Sequence, residues 1–550
     1  MDYRSFTAQF VSLSLCFTLF ACNSEQPQTN NTPAASSVSN LPSHGGRMLE
    51  SSIGDASNLI PMIAGDAASH DVASNLYLSL LKYDRDLNLV GQLAESWKIS
   101  EDKLSITFTL KPNLKWSDNH PFTAEDCLFT LHLIQADSTQ SPYKSDYTLV
   151  SKATAQDART FTVTYNEIFS PALASWASLA ILPKHIFEGQ DIMNTSLSRS
   201  PKVSIGPYFL KDWQAQQSIT MQANPHYFDG DVWIDTRITR IIPDPATQFL
   251  ELSAGKIDMM NLTPTQYSRL FEKNKKLMAE YERYKYLGFT YTYLGFNLKR
   301  GPFTQPEVRQ AIAYAIDRQE LVDGVLLGLG EPLAAPFKPG TTWVNNKIKP
   351  RAYDPALARK LLAQVGYTEV DGKMVKNGEA LAFTILTNNG NKMRADTATI
   401  VQQRLREIGI TVNVRLVEWS AFIENFINTR DFDAVILGWS LSPEPDQYNI
   451  WHSSQTGARQ FNFLSYANAK VDKALDEARK TFDVDQRKAW YDMMQEEIHH
   501  DAPLVFLYAG YSLPAIHKRI YGIDPAPSGI GHNREQWFIP KALQQQSIAP

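Results

Sequence analysis

Apolar and polar positions between Ala382 and Ser454 predict a strand, a helix and a second strand in succession. An apolar run over 383–386 predicts the first strand, and apolar residues at helical spacing up to Ile408 predict the helix. Gly409 follows at the position of a helix C-cap, and over 410–416 apolar residues occupy every second position. Two strands joined by a helix at this spacing predict a parallel crossover unit.

A third strand and two tryptophans extend this unit. After a predicted helix over 421–428, the apolar run 432–437 predicts a buried strand, which ends in Gly438-Trp439-Ser440 before a loop broken by prolines. Trp419 follows the second strand in the same way. Because ligands bind beyond the carboxyl ends of strands in open α/β sheets, both tryptophans are predicted to wall a pocket. The alternative is that both rings lie in the core.

The first 46 residues indicate targeting and tethering. Residues 1–21 carry Arg4 and then an apolar run that is too short to span a bilayer, which is typical of a signal peptide. The residues before Cys22 read Leu-Phe-Ala and resemble a bacterial lipobox, so we expect Cys22 to carry the lipid. Residues 22–46 are polar and predict a flexible tether. The alternative is an ordinary secretory signal.

Length and composition narrow the class of protein. A chain of 550 residues exceeds a single hydrophobic core, so two or three domains are expected. A net charge of −5 argues against nucleic acid as a partner, because no excess positive charge is available to bind phosphates. Of the three cysteines, Cys127 alone would remain in the mature domain, where its apolar neighbours predict a buried thiol without a disulfide.

Five blocks, in one order along the chain, carry a resemblance to a known family. The blocks are LAESWKISEDKLSITFTLKPNLKWSDNHPFTAEDCLFTLHLI, IGPYFL with NPHYF, YLGFNLKRGPFTQPEVRQAIAYAIDRQELV, FDAVILGWS and DAPLVFLY. Together they resemble the family 5 extracellular solute-binding proteins, the peptide-binding components of bacterial ABC importers, from about Ile53 to the end of the chain.

The resemblance implies an α/β, two-lobed periplasmic-binding-protein fold, class II-like, with the ligand cleft between the lobes. Lobe I is expected over 47–298, with an inserted subdomain at about 75–200. Lobe II is expected over 299–510, beginning just after a predicted strand that ends at Leu298. The chain is then expected to return to lobe I over 511–550.

The resemblance also implies the site. Trp419, Trp439 and Tyr508 fall at positions that line the cleft in relatives, and Tyr293 lies beside the predicted lobe crossing. Ser440 and Leu441 are expected to offer backbone groups. Many peptide binders of the family carry an aspartate three residues after the tryptophan of the Gly-Trp pair, and it holds the peptide's amino group. This chain has Ser442 there, so the hypothesis is that Glu444 or Asp446 anchors a ligand cation instead.

The expected function is capture and delivery without catalysis. A lipid-anchored, periplasmic and monomeric protein would bind peptides and pass them to an ABC permease whose energy comes from a separate ATPase, with no cofactor or metal of its own. A first alternative is another ligand, such as a nickel complex, haem, an opine or an oligosaccharide. A second is a surface hydrolase using Ser440, although Gly438-Trp439-Ser440-Leu441-Ser442 lacks the second glycine of a nucleophile elbow.

Overall fold

The protein is described from a computed structural model in which residues 40–544 are placed. The predicted signal peptide, Cys22 and the tether as far as residue 39 lie outside the described residues. Two large β-sheets, each covered by helices, form the centres of two lobes. The predicted two-lobed α/β class is therefore confirmed.

Lobe I begins at Arg47 and holds the first large sheet. Its strands up to residue 283 are β1 (Arg47–Ser52), β2 (Leu81–Tyr83), β3 (Leu89–Gly91), β4 (Ala94–Ile99), β5 (Ser105–Leu110), β6 (Val150–Ala155), β7 (Thr160–Tyr165), β8 (Tyr208–Gln214), β9 (Ser218–Ala223), β10 (Thr236–Ile241), β11 (Met259–Asn261) and β12 (Tyr281–Arg283). Its helices are α1 (Ala67–Leu76), α2 (Ala124–Gln135), α3 (Ala172–Ser178), α4 (Lys184–Phe187), α5 (Pro245–Ser253) and α6 (Lys275–Glu280).

An antiparallel subdomain is inserted between β1 and β8. Strands β4, β5, β7 and β6 pair in that order, and both β5 and β7 alternate half-buried and buried positions, as a strand with one covered face should. Helix α2 packs on this sheet, and the Asp126 carboxylate accepts a hydrogen bond from the Thr123 backbone N–H at its first turn. Cys127 is buried there as a free thiol, as predicted.

Lobe II holds the second large sheet. Its strands are β13 (Tyr286–Leu287), β14 (Thr290–Phe296), β15 (Gly330–Pro332), β16 (Thr368–Val370), β17 (Lys373–Lys376), β18 (Glu379–Ala380), β19 (Ala382–Asn388), β20 (Thr411–Val417), β21 (Ala434–Ser440) and β22 (Leu504–Ser512). Its helices are α7 (Pro306–Tyr314), α8 (Arg318–Gly324), α9 (Pro355–Gln364), α10 (Lys392–Glu407), α11 (Trp419–Phe422), α12 (Tyr448–Trp451), α13 (Ala469–Lys480) and α14 (Val484–Asp501).

The predicted crossover unit lies at the edge of this sheet. Strand β19 pairs in parallel with β20, and α10 connects them. Strand β21 pairs in parallel with β19 on its other side, so the three predicted strands are neighbours in the order β21-β19-β20. The predicted helix over 421–428 is formed by α11, which continues as a π-helical turn over Ile423–Ile427. The crossover prediction is therefore confirmed.

The chain crosses between the lobes earlier than we expected. Strand β12 ends in the lobe I sheet at Arg283, whereas β14 pairs with β21 and β22 of lobe II. The first crossing therefore lies between Arg283 and Tyr286, not at residue 298, because β14 finds its partners far along the chain. The return follows Ser512, where β23 (Pro514–His517) pairs with β11 and β12, and α15 (Lys541–Gln544) ends the described chain.

The finished sheets fix the architecture around the cleft. The lobe I sheet has the order β12-β23-β11-β1-β10-β9-β8, and the lobe II sheet runs β13-β22-β14-β21-β19-β20, with β15 paired to β22. Separate hydrophobic clusters fill the interiors of the two lobes. Over residues 40–544, no helix combines the length and the apolar character needed to cross a bilayer.

Candidate functional site

A cavity of about 850 Å³ lies between the two lobes. Lobe I contributes Asp66, His70 and Tyr143 to its wall, and lobe II contributes Trp439 and Tyr508. Its volume falls within the range of small-molecule sites. Of the predicted site residues, the following line the cavity: Trp419, Trp439, Ser440, Leu441, Ser442 and Tyr508.

Trp419 bridges the lobes at one wall. It is the first residue of α11, separated from the end of β20 by Glu418, and it is half-buried. The Trp419 Nε1–H donates to Asp66 Oδ1 over 3.2 Å. Asp66 is itself the N-cap of α1 and accepts from the backbone N–H of Ser69. The tryptophan is therefore held from lobe I by a carboxylate that already has other hydrogen-bond donors.

Trp439 belongs to a row of aromatic rings that passes from one lobe to the other. Its ring stacks on Tyr293, with centroids 6.5 Å apart, and meets Phe461 edge-on at 5.2 Å. Phe461 meets Tyr143 of lobe I at 5.2 Å, and the Tyr143 hydroxyl lies 2.9 Å from His70 Nε2. Tyr293 is fully buried behind this row and does not line the cavity. Rings at these separations favour edge-on and offset contacts, so this wall of the cavity is apolar.

The other predicted contacts sit where β21 and β22 reach the cavity. Ser440 is the last residue of β21. The Leu441 backbone N–H donates to the Phe289 carbonyl over 2.7 Å, so that donor is already used. The Ser442 hydroxyl accepts from the Glu444 backbone N–H over 3.2 Å. The Tyr508 hydroxyl lies 3.0 Å from Thr397 Oγ1, which fixes its ring against α10.

Glu444 is paired with an arginine and does not line the cavity. Its carboxylate accepts a hydrogen bond from Arg487 Nη2, and both side chains are largely buried. Burial raises the pKa of Glu444 despite this guanidinium. Tyr83 of lobe I lies beside the pair. Burial, followed by the charge of the nearby Glu444 carboxylate, raises the pKa of Tyr83 to about 12. The Glu444 charge is therefore already compensated.

Asp446 belongs to a buried ion cluster that joins the lobes. Arg479 Nε and Nη2 donate to Asp446 Oδ2 over 2.9 and 2.6 Å, and Nη2 also donates to Asp146 Oδ1 of lobe I over 2.7 Å. Asn449 Nδ2 donates to both Asp146 oxygens. We call Asp146, Asp446 and Arg479 the interlobe cluster. Its two carboxylates share one guanidinium, so neither Glu444 nor Asp446 offers an uncompensated charge to a ligand.

The interlobe cluster predicts a pH-dependent stability. Burial, with a further contribution from the Asp446 charge, raises the pKa of Asp146 to about 6, although Arg479 opposes the shift. An aspartate in the unfolded chain has a pKa of about 3.9. The folded state therefore binds the extra proton, and the stability that this proton supplies is present below about pH 4 and lost as the pH rises through 6.

Asp146→Asn, which mimics the protonated carboxyl, tests this expectation. The free energies of unfolding of the variant and the wild type, measured in urea, should agree near pH 4. As the pH rises to 7, the variant should become more stable than the wild type. The expected gain is roughly 1 to 3 kcal/mol. A difference between the two proteins that does not change with pH would contradict the assignment of the proton to Asp146.

The sequence did not predict the charged residues of the cavity, which are Asp66, Asp71, Arg394, Glu424 and Arg459. Arg394 lies in the first turn of α10, and Asp71 lies in α1 on the opposite lobe. A signal for Arg394 existed, because it follows the carboxyl end of β19, where the rule that indicated Trp419 and Trp439 also applies. Asp71 gave no comparable signal, since it sits within an ordinary amphipathic helix.

Within residues 40–544, no three or more His, Cys, Asp and Glu side chains gather in a way that could hold a metal ion. His499, near the end of α14, is largely enclosed, and burial followed by the charge of Arg351 lowers its pKa to about 4. It therefore stays neutral at pH 7, and Arg351 Nη2 donates to its backbone oxygen over 2.6 Å.

Comparison with known proteins places the chain among binding proteins. Residues 88–460 match the bacterial extracellular solute-binding proteins, family 5, middle region. The oligopeptide-binding protein AppA of Bacillus subtilis (strain 168) is 32% identical over 556 residues, which cover 98% of this chain and 100% of AppA. The structure of AppA in complex with a nonapeptide superposes with a TM-score of 0.87 and covers 91% of this chain and 100% of that chain.

Two further structures extend the comparison. DppA from Helicobacter pylori, in complex with the peptide STSA, has a TM-score of 0.81 at 25% identity and covers 91% of this chain and 99% of that chain. NikZ from Campylobacter jejuni, in complex with Ni(L-His), has a TM-score of 0.81 at 24% identity with coverages of 90% and 99%, a likeness that concerns the fold. The chain belongs to the bacterial extracellular solute-binding proteins of family 5.

Proposed function

We propose that the protein captures peptides between its two lobes and delivers them to an ABC permease. The observation that supports this most is the interlobe cavity of about 850 Å³, with its aromatic row from both lobes, in a chain that aligns along its whole length with an oligopeptide-binding protein. Aromatic walls offer apolar area without demanding one side-chain sequence. The protein works as a periplasmic monomer, and its cargo leaves chemically unchanged.

Closure of the lobes provides the signal to the permease. In this proposal the lobes move as rigid bodies, and the ligand stabilises the arrangement in which they contact each other. The interlobe cluster and the Trp419 to Asp66 hydrogen bond form only in that arrangement, because each joins residues of opposite lobes. The liganded protein then presents a surface that the open protein lacks.

Ligand identity is tested by native mass spectrometry on protein purified from its own host, followed by calorimetry. A co-purifying mass that fragments as a peptide, and saturable binding of synthetic peptides, support the proposal. A co-purifying nickel complex, haem, opine or oligosaccharide, with no peptide binding, would replace it with the first alternative. Labelling by a fluorophosphonate probe would favour a hydrolase.

A lipid on Cys22 is proposed to hold the protein at a membrane. Two or three acyl chains anchor a protein stably, since each buried CH₂ contributes about 0.8 kcal/mol. Cys22→Ala is expected to move the protein from the membrane to the soluble fraction of the host, with Cys127→Ala as the matched control that stays membrane-bound. A Cys22→Ala protein that remains with the membrane would reject the anchor and leave peptide binding unaffected.

A further inference from the structure

The charged side chains of the cavity fall into paired and unpaired groups. Arg459 Nη2 donates to Glu424 Oε2 over 2.7 Å, so these two charges compensate each other. Asp66 accepts hydrogen bonds from Ser57, Ser69 and Trp419. Among the charged residues that line the cavity in the described chain, Asp66, Asp71 and Arg394 form no ion pair, and only Asp66 has those three hydrogen bonds to its carboxylate.

Arg394 presents an uncompensated guanidinium to the cavity from lobe II. Its Nη1 donates to Asn388 Oδ1 over 2.8 Å, and across residues 40–544 that is the one hydrogen bond its five N–H groups make. Its Nη2 lies against Gly438, where an added Cβ would come within 2.9 Å of it. Burial lowers the pKa of Arg394, as expected for a cation that gives up water without gaining a carboxylate. The remaining donors match the planar geometry of a carboxylate.

Asp71 presents the opposite charge from lobe I. Asp71 is an exposed residue that lines the cavity. Partial loss of water between the lobes raises the pKa of its carboxyl. Arg534 and His70 act on it through space, yet neither forms an ion pair with it in the described structure. Its carboxylate is therefore free to accept hydrogen bonds from a ligand.

We infer that the cavity binds a zwitterionic ligand in a single orientation. The ligand's ammonium group binds Asp71 of lobe I, and its carboxylate binds Arg394 of lobe II. The inference rests on the proposed function and assigns the polarity of the bound peptide. It also replaces Glu444 and Asp446, whose charges are compensated by arginines, as the ammonium anchor. Bringing the lobes together around two unpaired charges is costly, so a ligand that neutralises both favours closure more than a neutral one does.

Calorimetry with end-blocked peptides tests the assignment. Alanine peptides with free termini are compared with their C-terminal amides and their N-acetyl forms, on the wild type, Arg394→Gln and Asp71→Asn. On the wild type, the amide should bind about tenfold to a hundredfold more weakly than the free acid. On Arg394→Gln, the amide and the free acid should bind with equal affinity. On the wild type, the N-acetyl peptide should bind more weakly than the peptide with a free amino group by a similar factor. On Asp71→Asn, these two peptides should bind with equal affinity. The double variant Arg459→Gln, Glu424→Gln removes a compensated pair from the same cavity without leaving an unpaired charge. It is the matched control and should keep both preferences.

The outcomes separate this inference from the proposed function. Equal affinity of the wild type for acid and amide, or a preference that survives in Arg394→Gln, overturns the inference while peptide binding stands. Failure of every peptide to bind the wild type removes the proposed function and the inference together. An amidated peptide that regains affinity through one internal glutamate, and loses it again in Arg394→Gln, supports the carboxylate site and assigns it to an acidic side chain. Arg394→Lys should retain part of the acid preference, because the charge remains without the bidentate geometry.

Discussion

Arg479→Met is expected to lower the free energy of unfolding by about 3 to 5 kcal/mol, because it removes one cation from between two buried carboxylates. The Arg479 side chain is 7% exposed, and Asp146 and Asp446 are 17% and 10% exposed. Without the guanidinium, two buried carboxyls would lie close together with little water to screen them, and one of them would have to bind a proton at pH 7. Urea unfolding at pH 7, followed by tryptophan fluorescence, measures the loss.

Two further variants isolate the cause of that loss. Lys392→Met removes the cation of the exposed pair with Asp396, where the expected change is at most about 1 kcal/mol. The triple variant Arg479→Met, Asp146→Asn, Asp446→Asn removes all three charges and should recover most of the stability, because a neutral cluster has no unpaired ion to bury. If Arg479→Met behaves like Lys392→Met, the interlobe cluster contributes no more than a surface pair.

The same substitution bears on ligand binding, since Asp146 belongs to lobe I and Arg479 to lobe II. A weaker interlobe cluster lowers the population of the closed arrangement, and the apparent affinity falls by the same factor. Arg479→Met should therefore weaken every peptide alike, whatever its end groups. This separates the role of Arg479 from that of Arg394, whose removal should affect peptides with a free carboxylate most.

Local pattern was enough to predict the elements that frame the site. The alternation over 410–416 and the helical spacing before it show which face of each element is buried, and neighbouring residues are enough to reveal this. The resulting unit, β19, α10 and β20, forms in the structure with parallel pairing. The placement of Trp419 and Trp439 at the cavity followed, because the position of a strand end in a parallel unit is set by the topology.

The partners of charged residues could not be predicted in this way. Glu444 meets Arg487 across 43 positions, and Asp146 meets Arg479 across 333 positions. No local period records such pairs, so the two carboxylates of the loop after β21 looked free in the sequence. The predicted lobe boundary was wrong for the same reason. The pattern of β14 fits a buried strand in either lobe, and only its pairing with β21 and β22 assigns it to lobe II. The ligand-contacting roles of the cavity residues stay predictions.

Trp439→Ala is expected to weaken peptide binding by about thirtyfold or more, the loss that corresponds to 2 kcal/mol at a central aromatic contact. Trp439 is the ring through which Phe461 and Phe463 pack against Tyr293, so its removal takes a wall from the cavity and also loosens the rings behind it. Trp439→Phe keeps an aromatic face and should lose less. Calorimetry with the alanine peptide that binds the wild type best measures both.

Trp451 supplies the matched control for a lost indole in the same lobe. It is 1% exposed, packs against Tyr466 and Phe506, and does not line the cavity. Trp451→Phe should lower the urea midpoint, since it loses core contacts and the hydrogen bond to Gln447, while peptide affinity measured below that midpoint stays within about twofold. Trp439 substitutions should lower the peptide affinity more than they lower the urea midpoint. If the affinity follows stability in both tryptophan series, Trp439 acts through the fold and the cavity wall must be sought elsewhere.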